Sequence, residues 1–204
     1  MQTAHQLAQR NDQPNDDGLV WLRGVSWADY LRLLKVRGDH SAPRIAYVEG
    51  TVEIMRPSQP HEAIKGLIGR LVEQWCMHHD LPFSTFGSWT IKRRREQRGV
   101  EPDECYVFSD VARPTRPDLA IEVIWTSGGL DKLDIYNHLG VPEVWIWRRG
   151  AITPWVLVGQ DYVAATDSRC LPGFDFALAA SLVDRRTSEA IKAFRVALER
   201  RTGA

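Results

Sequence analysis

The sequence predicts one domain of the α+β class, in which helices flank a mixed central β-sheet. A β-hairpin and then a long amphipathic helix lie in the first half of the chain. In the second half, an almost continuous apolar run is followed by a short helix and another apolar run. A strand, a helix and a strand in this order predict a right-handed crossover between two parallel strands. Antiparallel hairpin strands beside a parallel pair make a mixed sheet.

The first half contains the clearest helix and hairpin signals. Ser26 can cap a helix to about Val36, because apolar residues recur at helical spacing after it. Residues Ile45–Met55 contain two β-rich runs joined at Gly50, which predicts a hairpin. A helix is predicted from about His61 to His79, where apolar residues recur every three or four positions.

The second half contains the predicted centre of the sheet. Two short strands, FSTF and WTIKR, follow Pro82, and the strand CYVF follows Asp103. The run LAIEVIW has the composition of a central strand that is covered on both faces. A helix is predicted over Leu130–Leu139, before the buried strand VWIW. The strands WVLV and YVAA and a helix over Ser188–Arg201 complete the domain.

Composition limits the organisation of the chain. Its 204 residues, 44% hydrophobic and 25% charged, suffice for one core. The polar residues 1–18 predict a flexible N-terminal arm, and residues 19–204 predict a single domain. No signal-peptide pattern and no apolar run of about eighteen residues occurs, so we expect a cytoplasmic protein without a membrane partner. The net charge of zero neither attracts nor repels a polyanion, so nucleic-acid binding depends on local patches.

Glu122 is the most unusual residue, because it lies inside the apolar run LAIEVIW. A buried carboxylate needs a partner, and Mg²⁺ is commonly held by one or two carboxylates with waters and substrate phosphates. Asp103 is the second candidate metal ligand, since its strand is expected to pair beside that of Glu122. Lys132 is placed on the next helix, where its ammonium can stabilise charge on a phosphate. For Glu122, the alternatives are a structural salt bridge or a strand tilted so that this position reaches solvent. For Asp103 the alternative is a loop acid, and for Lys132 it is a surface lysine.

Other polar residues have weaker functional signals. Asp118 shares a strand face with Glu122, but four strand residues span about 13 Å, so it is expected near the site or as a turn stabiliser. Glu62 lies in the first turn of a helix, where an acid favours the helix dipole without any catalytic role. His61 is a candidate for helix capping or substrate contact. Glu49 and Glu53 flank the hairpin turn and are expected to face solvent.

Basic residues crowd one short segment, which contains Lys92, Arg93, Arg94, Arg95 and Arg98. Cations in such a cluster can hold nucleic-acid phosphates. The first four are therefore the candidate substrate-binding residues. A solvated hairpin tip is an equally good interpretation, because charged turns are common and Glu96 dilutes the positive field.

Several of these motifs resemble a known family. The segments YVEGTVEIM and PSQPHEAI, and then PDLAIEVI, Lys132, Tyr136 and GVPEVWIW, occur in this order. They resemble the signature of the Uma-type restriction endonuclease family of bacteria. The resemblance covers roughly Tyr47 to Trp147 and implies a restriction-endonuclease-like core of the PD-(D/E)xK type.

By motif position, the resemblance implies that Asp103 and Glu122 bind Mg²⁺ (or Mn²⁺) and that Lys132 assists hydrolysis. The usual lysine position, two residues after the glutamate, is Ile124 in this chain. The lysine function is therefore assigned to Lys132. This sequence also has WTSGG where the family usually has a Ser-Pro-Ser turn.

The leading functional hypothesis is a Mg²⁺-dependent endonuclease that hydrolyses phosphodiester bonds of DNA with water as nucleophile. The alternative is a non-catalytic nucleic-acid-binding or protein-interaction module on a nuclease fold. A homodimer is a further expectation, since two copies related by a two-fold axis are the simplest way to cut two strands.

Overall fold

The computed structural model describes residues 16–87, 89–125 and 129–202. The helices are α1 (Trp27–Arg37), α2 (Gln59–His78), α3 (Lys132–Leu139), α4 (Phe176–Ser181) and α5 (Thr187–Thr202). The strands are β1 (Gly18–Arg23), β2 (Arg44–Val48), β3 (Thr51–Arg56), β4 (Ser84–Thr85), β5 (Ile91–Arg93), β6 (Arg98–Val100), β7 (Glu104–Val107), β8 (Leu119–Ile124), β9 (Glu143–Arg148), β10 (Ala151–Val158) and β11 (Asp161–Ala164). The sequence did not predict β1, β6 or α4.

The strands form two sheets where the sequence predicted one. The six-stranded sheet has the order β11-β10-β9-β8-β7-β4, with β8 and β9 parallel. It is the predicted mixed central sheet, and α3 connects its parallel strands. The hairpin β2–β3 belongs instead to a five-stranded sheet in the order β1-β3-β2-β6-β5. The hairpin belongs to this second sheet because β1 pairs with the outer edge of β3 and β6 pairs with the outer edge of β2.

Helices cover both faces of the central sheet, which explains why β8 is almost entirely apolar. Successive side chains of a strand point to opposite faces. Leu119, Ile121 and Val123 accordingly join the core cluster that contains the apolar stripe of α2. Ala120 joins the cluster that contains the buried side of α3. Glu122 lies two positions after Ala120, so its side chain is on the same face of the strand and points towards α3.

The helix starts differ slightly from the predicted ones. Helix α2 begins at Gln59, since Ser58 is its N-cap. Helix α3 begins at Lys132, since the Asp131 side chain accepts hydrogen bonds from two backbone N–H groups of the first turn. None of the described helices is long and apolar enough to cross a membrane.

The beginning of the described chain is part of the fold. Gly18, predicted as the end of a flexible arm, is the first residue of β1. Asp17 accepts a hydrogen bond from Ser58 N at 2.7 Å, which fixes the start of β1 to the start of α2. The rest of the predicted arm, residues 1–15, lies outside the described residues.

Candidate active site

Asp103, the residue directly before β7, lies beside Glu122 of the neighbouring strand β8. Strands β7 and β8 are antiparallel, with Glu104 opposite Ile121, so the next position in this register places Asp103 opposite Glu122. Directly opposed residues of an antiparallel pair point to the same face of the sheet. Both residues are buried: Asp103 is 1% exposed and Glu122 is 3% exposed. The structure therefore brings the two predicted metal ligands together.

Asp103 is surrounded by cations and a backbone donor. Its Oδ2 accepts a hydrogen bond from Val123 N at 2.7 Å. Its Oδ1 lies 3.1 Å from the Arg44 guanidinium and 3.0 Å from His61 Nε2. Burial alone raises the pKa of Asp103, but the charges of Arg44 and His61 outweigh this and hold the pKa well below its usual range. Asp103 is therefore ionised.

Glu122 has a different environment from Asp103. The Tyr136 hydroxyl of α3 donates a hydrogen bond to Glu122 Oε1. Burial and the nearby charge of Asp103 raise the pKa of Glu122 to about 7, although Lys132 and the Tyr136 hydrogen bond act in the opposite direction. Two adjacent buried carboxyl groups thus have strongly different proton affinities, as is common at functional sites.

Lys132 joins this cluster from the first residue of α3, where it pairs with Glu53. The distance from Lys132 Nζ to Glu53 Oε1 is 3.2 Å, and the Leu130 N–H donates to Glu53 Oε2 at 2.5 Å. Burial lowers the pKa of Lys132, but Glu122 and Glu53 more than compensate and raise it. The expectation that Glu53 faces solvent is wrong, since it is 2% exposed. Glu49, at the other end of the turn, is exposed as expected.

His61 connects Asp103 to Asp17. Its Nδ1 lies 3.0 Å from Asp17 Oδ2, and the residue is fully buried. Burial lowers the pKa of His61, but the adjacent carboxylates of Asp103 and Asp17 outweigh it and raise the pKa to about 9. Burial likewise raises the pKa of Asp17, yet His61 and the Ser58 N–H lower it overall. Asp17, Arg44 and Glu53 were not assigned to the site from the sequence. The signal that pointed to these contacts was His61, which lies beside the start of α2.

A cleft of about 240 Å³ opens beside the cluster. Glu122, Glu53 and Lys132 line it, together with Leu19 of β1. The exposed residue Arg148, at the end of β9, also lines it. A cation at the mouth of a cleft with a buried lysine and carboxylates can bind an anionic group of a substrate.

The predicted basic segment lies elsewhere. None of the residues Lys92, Arg93, Arg94 and Arg95 lines the cleft. Arg93 donates to the carbonyls of His138 and Leu139 at the end of α3, while its three basic neighbours are exposed. Arg98 was expected in the exposed turn, but it lies in β6, 5% exposed, and pairs with Glu49 and Asp134. The exposed side chains of Lys92, Arg94 and Arg95 can therefore contact a partner outside the cleft.

Two other acids behave as the sequence indicated. Asp118 accepts a hydrogen bond from Phe108 N at 2.8 Å, which makes it a turn stabiliser. Glu62 lies in the first turn of α2, 2.8 Å from Lys65, with its side chain 44% exposed. Neither of them lines the cleft.

The buried pair of acids fits a small divalent cation. The described residues contain no group of three or more His, Cys, Asp or Glu side chains placed to hold a metal. Mg²⁺ needs only one or two carboxylates, however, when waters and phosphates complete its shell. Asp103 Oδ1 is buried and has no aligned hydrogen bond, despite its close cationic neighbours. It therefore keeps acceptor capacity beside Glu122.

This fold and this group of side chains define a restriction-endonuclease-like protein. The family model described as "Putative restriction endonuclease" (Uma2) matches residues 27–178. The chain belongs to this family, which confirms the resemblance of its motifs.

A solved structure has the same fold. It is described as a putative nuclease belonging to DUF820 from Anabaena variabilis. Its TM-score is 0.50 at 14% sequence identity, over 78% of this chain and 96% of that chain. No curated protein matches this chain.

Proposed function

We propose that this protein is a metal-dependent endonuclease that hydrolyses phosphodiester bonds of DNA. The observation that carries the proposal is that Asp103 lies opposite Glu122 in the β7–β8 register, while Glu122 and Lys132 line one cleft. Membership of the Uma2 family supports nuclease chemistry at this place. Carboxylates beside a lysine are the groups that phosphodiester hydrolysis with a metal ion needs.

Each side chain has a separate part in this proposal. Asp103 and Glu122 would hold Mg²⁺ or Mn²⁺, which when bound supplies a Lewis acid and lowers the pKa of water. Lys132 places a fixed positive charge where charge develops on the phosphate. Glu53 orients Lys132, since it accepts from Nζ and is itself held by the Leu130 N–H. Arg148, which is exposed and lines the cleft, would contact a phosphate of the substrate.

DNA is the proposed substrate because an additional positive surface is exposed outside the cleft. Lys92, Arg94 and Arg95 are exposed at the β5–β6 hairpin. Exposed lysine and arginine side chains contribute affinity for a phosphate backbone without reading its sequence. These residues would therefore hold DNA without taking part in hydrolysis.

The test is cleavage of supercoiled plasmid in the presence of Mg²⁺ or Mn²⁺. We expect Glu122→Gln and Lys132→Met to reduce the rate by about 100-fold or more. The matched control is Glu104→Gln, since Glu104 is the neighbour of Asp103 on β7 but packs towards Gly69 of α2. Circular dichroism checks that each variant is folded. Equal cleavage by the wild type and Glu122→Gln would refute the proposal.

The alternative of a non-catalytic binding module is favoured by one observation. Arg44 and His61 already balance the charge of Asp103 without any metal. A module of this kind would bind DNA or a protein partner and would not gain stability from Mg²⁺ or Mn²⁺. Thermal unfolding with each metal distinguishes the two functions, because a ligand of the native state raises the melting temperature. No metal-dependent rise together with no cleavage would establish the alternative.

A further inference from the structure

Tyr136 is the buried side chain that α3 places against Glu122. The residue is fully buried, and its hydroxyl donates a hydrogen bond to Glu122 Oε1. Tyr136 lies one helical turn after Lys132, so both side chains project from the same face of α3. Lys132, however, is within ion-pair distance of Glu53. Among the described residues, the direct hydrogen bond that orients the Glu122 carboxylate comes from Tyr136.

The position of the Tyr136 ring is fixed because both ends of α3 are held. Asp131 caps the start of the helix, and Gly140 ends it in the left-handed conformation. The Arg93 guanidinium donates to two carbonyls of the last turn. The ring itself belongs to the core cluster that packs between α3 and the central sheet. A ring held in this way cannot follow a rotation of the carboxylate, so the hydrogen bond keeps Glu122 Oε1 in one place.

The hydrogen bond makes the two oxygens of Glu122 different. Oε1 accepts from Tyr136, whereas Oε2 accepts no hydrogen bond from the residues that the structure describes. Glu122 lines the cleft, and Asp103 lies opposite it in the register of β7 and β8. Asp103 also has one buried oxygen without an aligned hydrogen bond, Oδ1. Each of the two acids therefore has one oxygen available to a cation.

We propose that Tyr136 is a positioning residue that restricts Glu122 to one metal-binding oxygen and thereby favours Mg²⁺ over Ca²⁺. Mg²⁺ requires nearly octahedral geometry and binds through one or two carboxylates with several waters. Ca²⁺ accepts about six to eight oxygens, including both oxygens of one carboxylate. A carboxylate whose Oε1 is held by a fixed phenol offers a single oxygen, which suits the smaller ion. This role of Tyr136 rests on the proposed function, in which Asp103 and Glu122 hold the metal.

Competition with Mn²⁺ in the absence of DNA measures the ion preference separately from cleavage. Electron paramagnetic resonance follows free Mn²⁺, and its displacement from the protein by MgCl₂ or CaCl₂ gives the dissociation constant of each ion. Loss of the partner of a metal ligand commonly weakens metal binding by about 10-fold or more. Tyr136→Phe should therefore weaken Mg²⁺ binding about tenfold. Ca²⁺ binding should change less than about twofold, because the freed Oε1 can join the larger ion.

Tyr106→Phe is the matched control for the loss of a buried phenol hydroxyl. Tyr106 is 1% exposed, and its hydroxyl donates to the Gly69 carbonyl at 3.1 Å. It does not line the cleft, so the ratio of the Mg²⁺ and Ca²⁺ affinities should stay that of the wild type. Circular dichroism verifies that both variants are folded.

The possible results distinguish the role of Tyr136 from the proposed function. If the wild type binds Mn²⁺ but Tyr136→Phe leaves the ratio of the Mg²⁺ and Ca²⁺ affinities unchanged, the role of Tyr136 is overturned and the metal site stands. A wild type that binds no Mn²⁺ would overturn both. NMR of ring-labelled tyrosine adds a test that needs no substitution. The signal of the hydrogen-bonded Tyr136 hydroxyl should persist when Mg²⁺ is added, and its loss would also overturn the proposal.

Discussion

Replacing Glu53 by alanine is the most direct test of the buried charge cluster. The change removes the carboxylate 3.2 Å from Lys132 Nζ and the acceptor of the Leu130 N–H. The Glu53 and Lys132 side chains are only 2% and 13% exposed. Removing one partner of a buried ion pair costs about 3–5 kcal/mol, because the other charge stays buried. Since Glu122 still attracts Lys132, we expect the lower end, about 3 kcal/mol.

Urea unfolding, followed by circular dichroism in a chelating buffer, measures this loss. The matched control is Glu62→Ala, which removes a carboxylate that is 44% exposed and lies 2.8 Å from Lys65 and 3.5 Å from Arg44. Exposed pairs contribute about 0–1 kcal/mol, so the control should lose less than about 1 kcal/mol. A second comparison is the double variant Glu53→Ala/Lys132→Met. It should be more stable than Glu53→Ala alone, because no unpaired ammonium is left in the interior.

Two results would refute the reasoning about Glu53. If Glu53→Ala costs no more than Glu62→Ala, then Glu53 faces solvent, as the sequence alone suggested. If the effects of Glu53→Ala and Lys132→Met are additive within about 0.5 kcal/mol, the two side chains do not interact. Either result would also remove Glu53 from the proposed orientation of Lys132.

Further predictions concern the other contacts of the site and the basic hairpin. Tyr136→Phe removes the hydroxyl donor to buried Glu122, so it should cost about 1–3 kcal/mol in urea unfolding, and no loss would argue against this hydrogen bond. Asp17→Ala should cost a similar amount, about 1–3 kcal/mol, measured in the same way; an unchanged stability would mean that the start of β1 is not anchored. Arg94→Glu/Arg95→Glu should weaken DNA binding at all sequences and reduce its salt dependence in a filter-binding titration, whereas unchanged binding would leave the hairpin tip as a solvated turn.

The central sheet could be predicted because its signals are local. The run LAIEVIW and the helix after it have the spacing of a strand and a crossover, and both are found. Glu122 could be selected for the same reason, since one acid in an apolar run is visible without any tertiary contact. Asp103 followed from the order of the strands, because β7 and β8 are neighbours in sequence and in the sheet.

The remainder of the site depends on contacts between distant segments. Glu53 alternates with apolar residues on β3, and no local pattern tells whether its face meets solvent or α3. The answer comes from Leu130, 77 positions further on, whose N–H reaches the Glu53 carboxylate. Asp17 looked like part of a polar arm, and its role depends on His61, 44 positions away. Local composition cannot encode such pairings.

The buried cluster contains more acids than cations. It contains the acids Asp17, Glu53, Asp103 and Glu122 and the cations Arg44, His61 and Lys132. His61, with its pKa of about 9, is charged at neutral pH. Among the described residues, the first three acids each have a cation within ion-pair distance. Glu122 instead accepts a hydrogen bond from the neutral Tyr136 hydroxyl and interacts with the charge of Lys132 without a direct ion pair. A buried carboxylate of this kind is costly unless a cation joins it. Among these acids, Glu122 would therefore gain most from the metal ion proposed above.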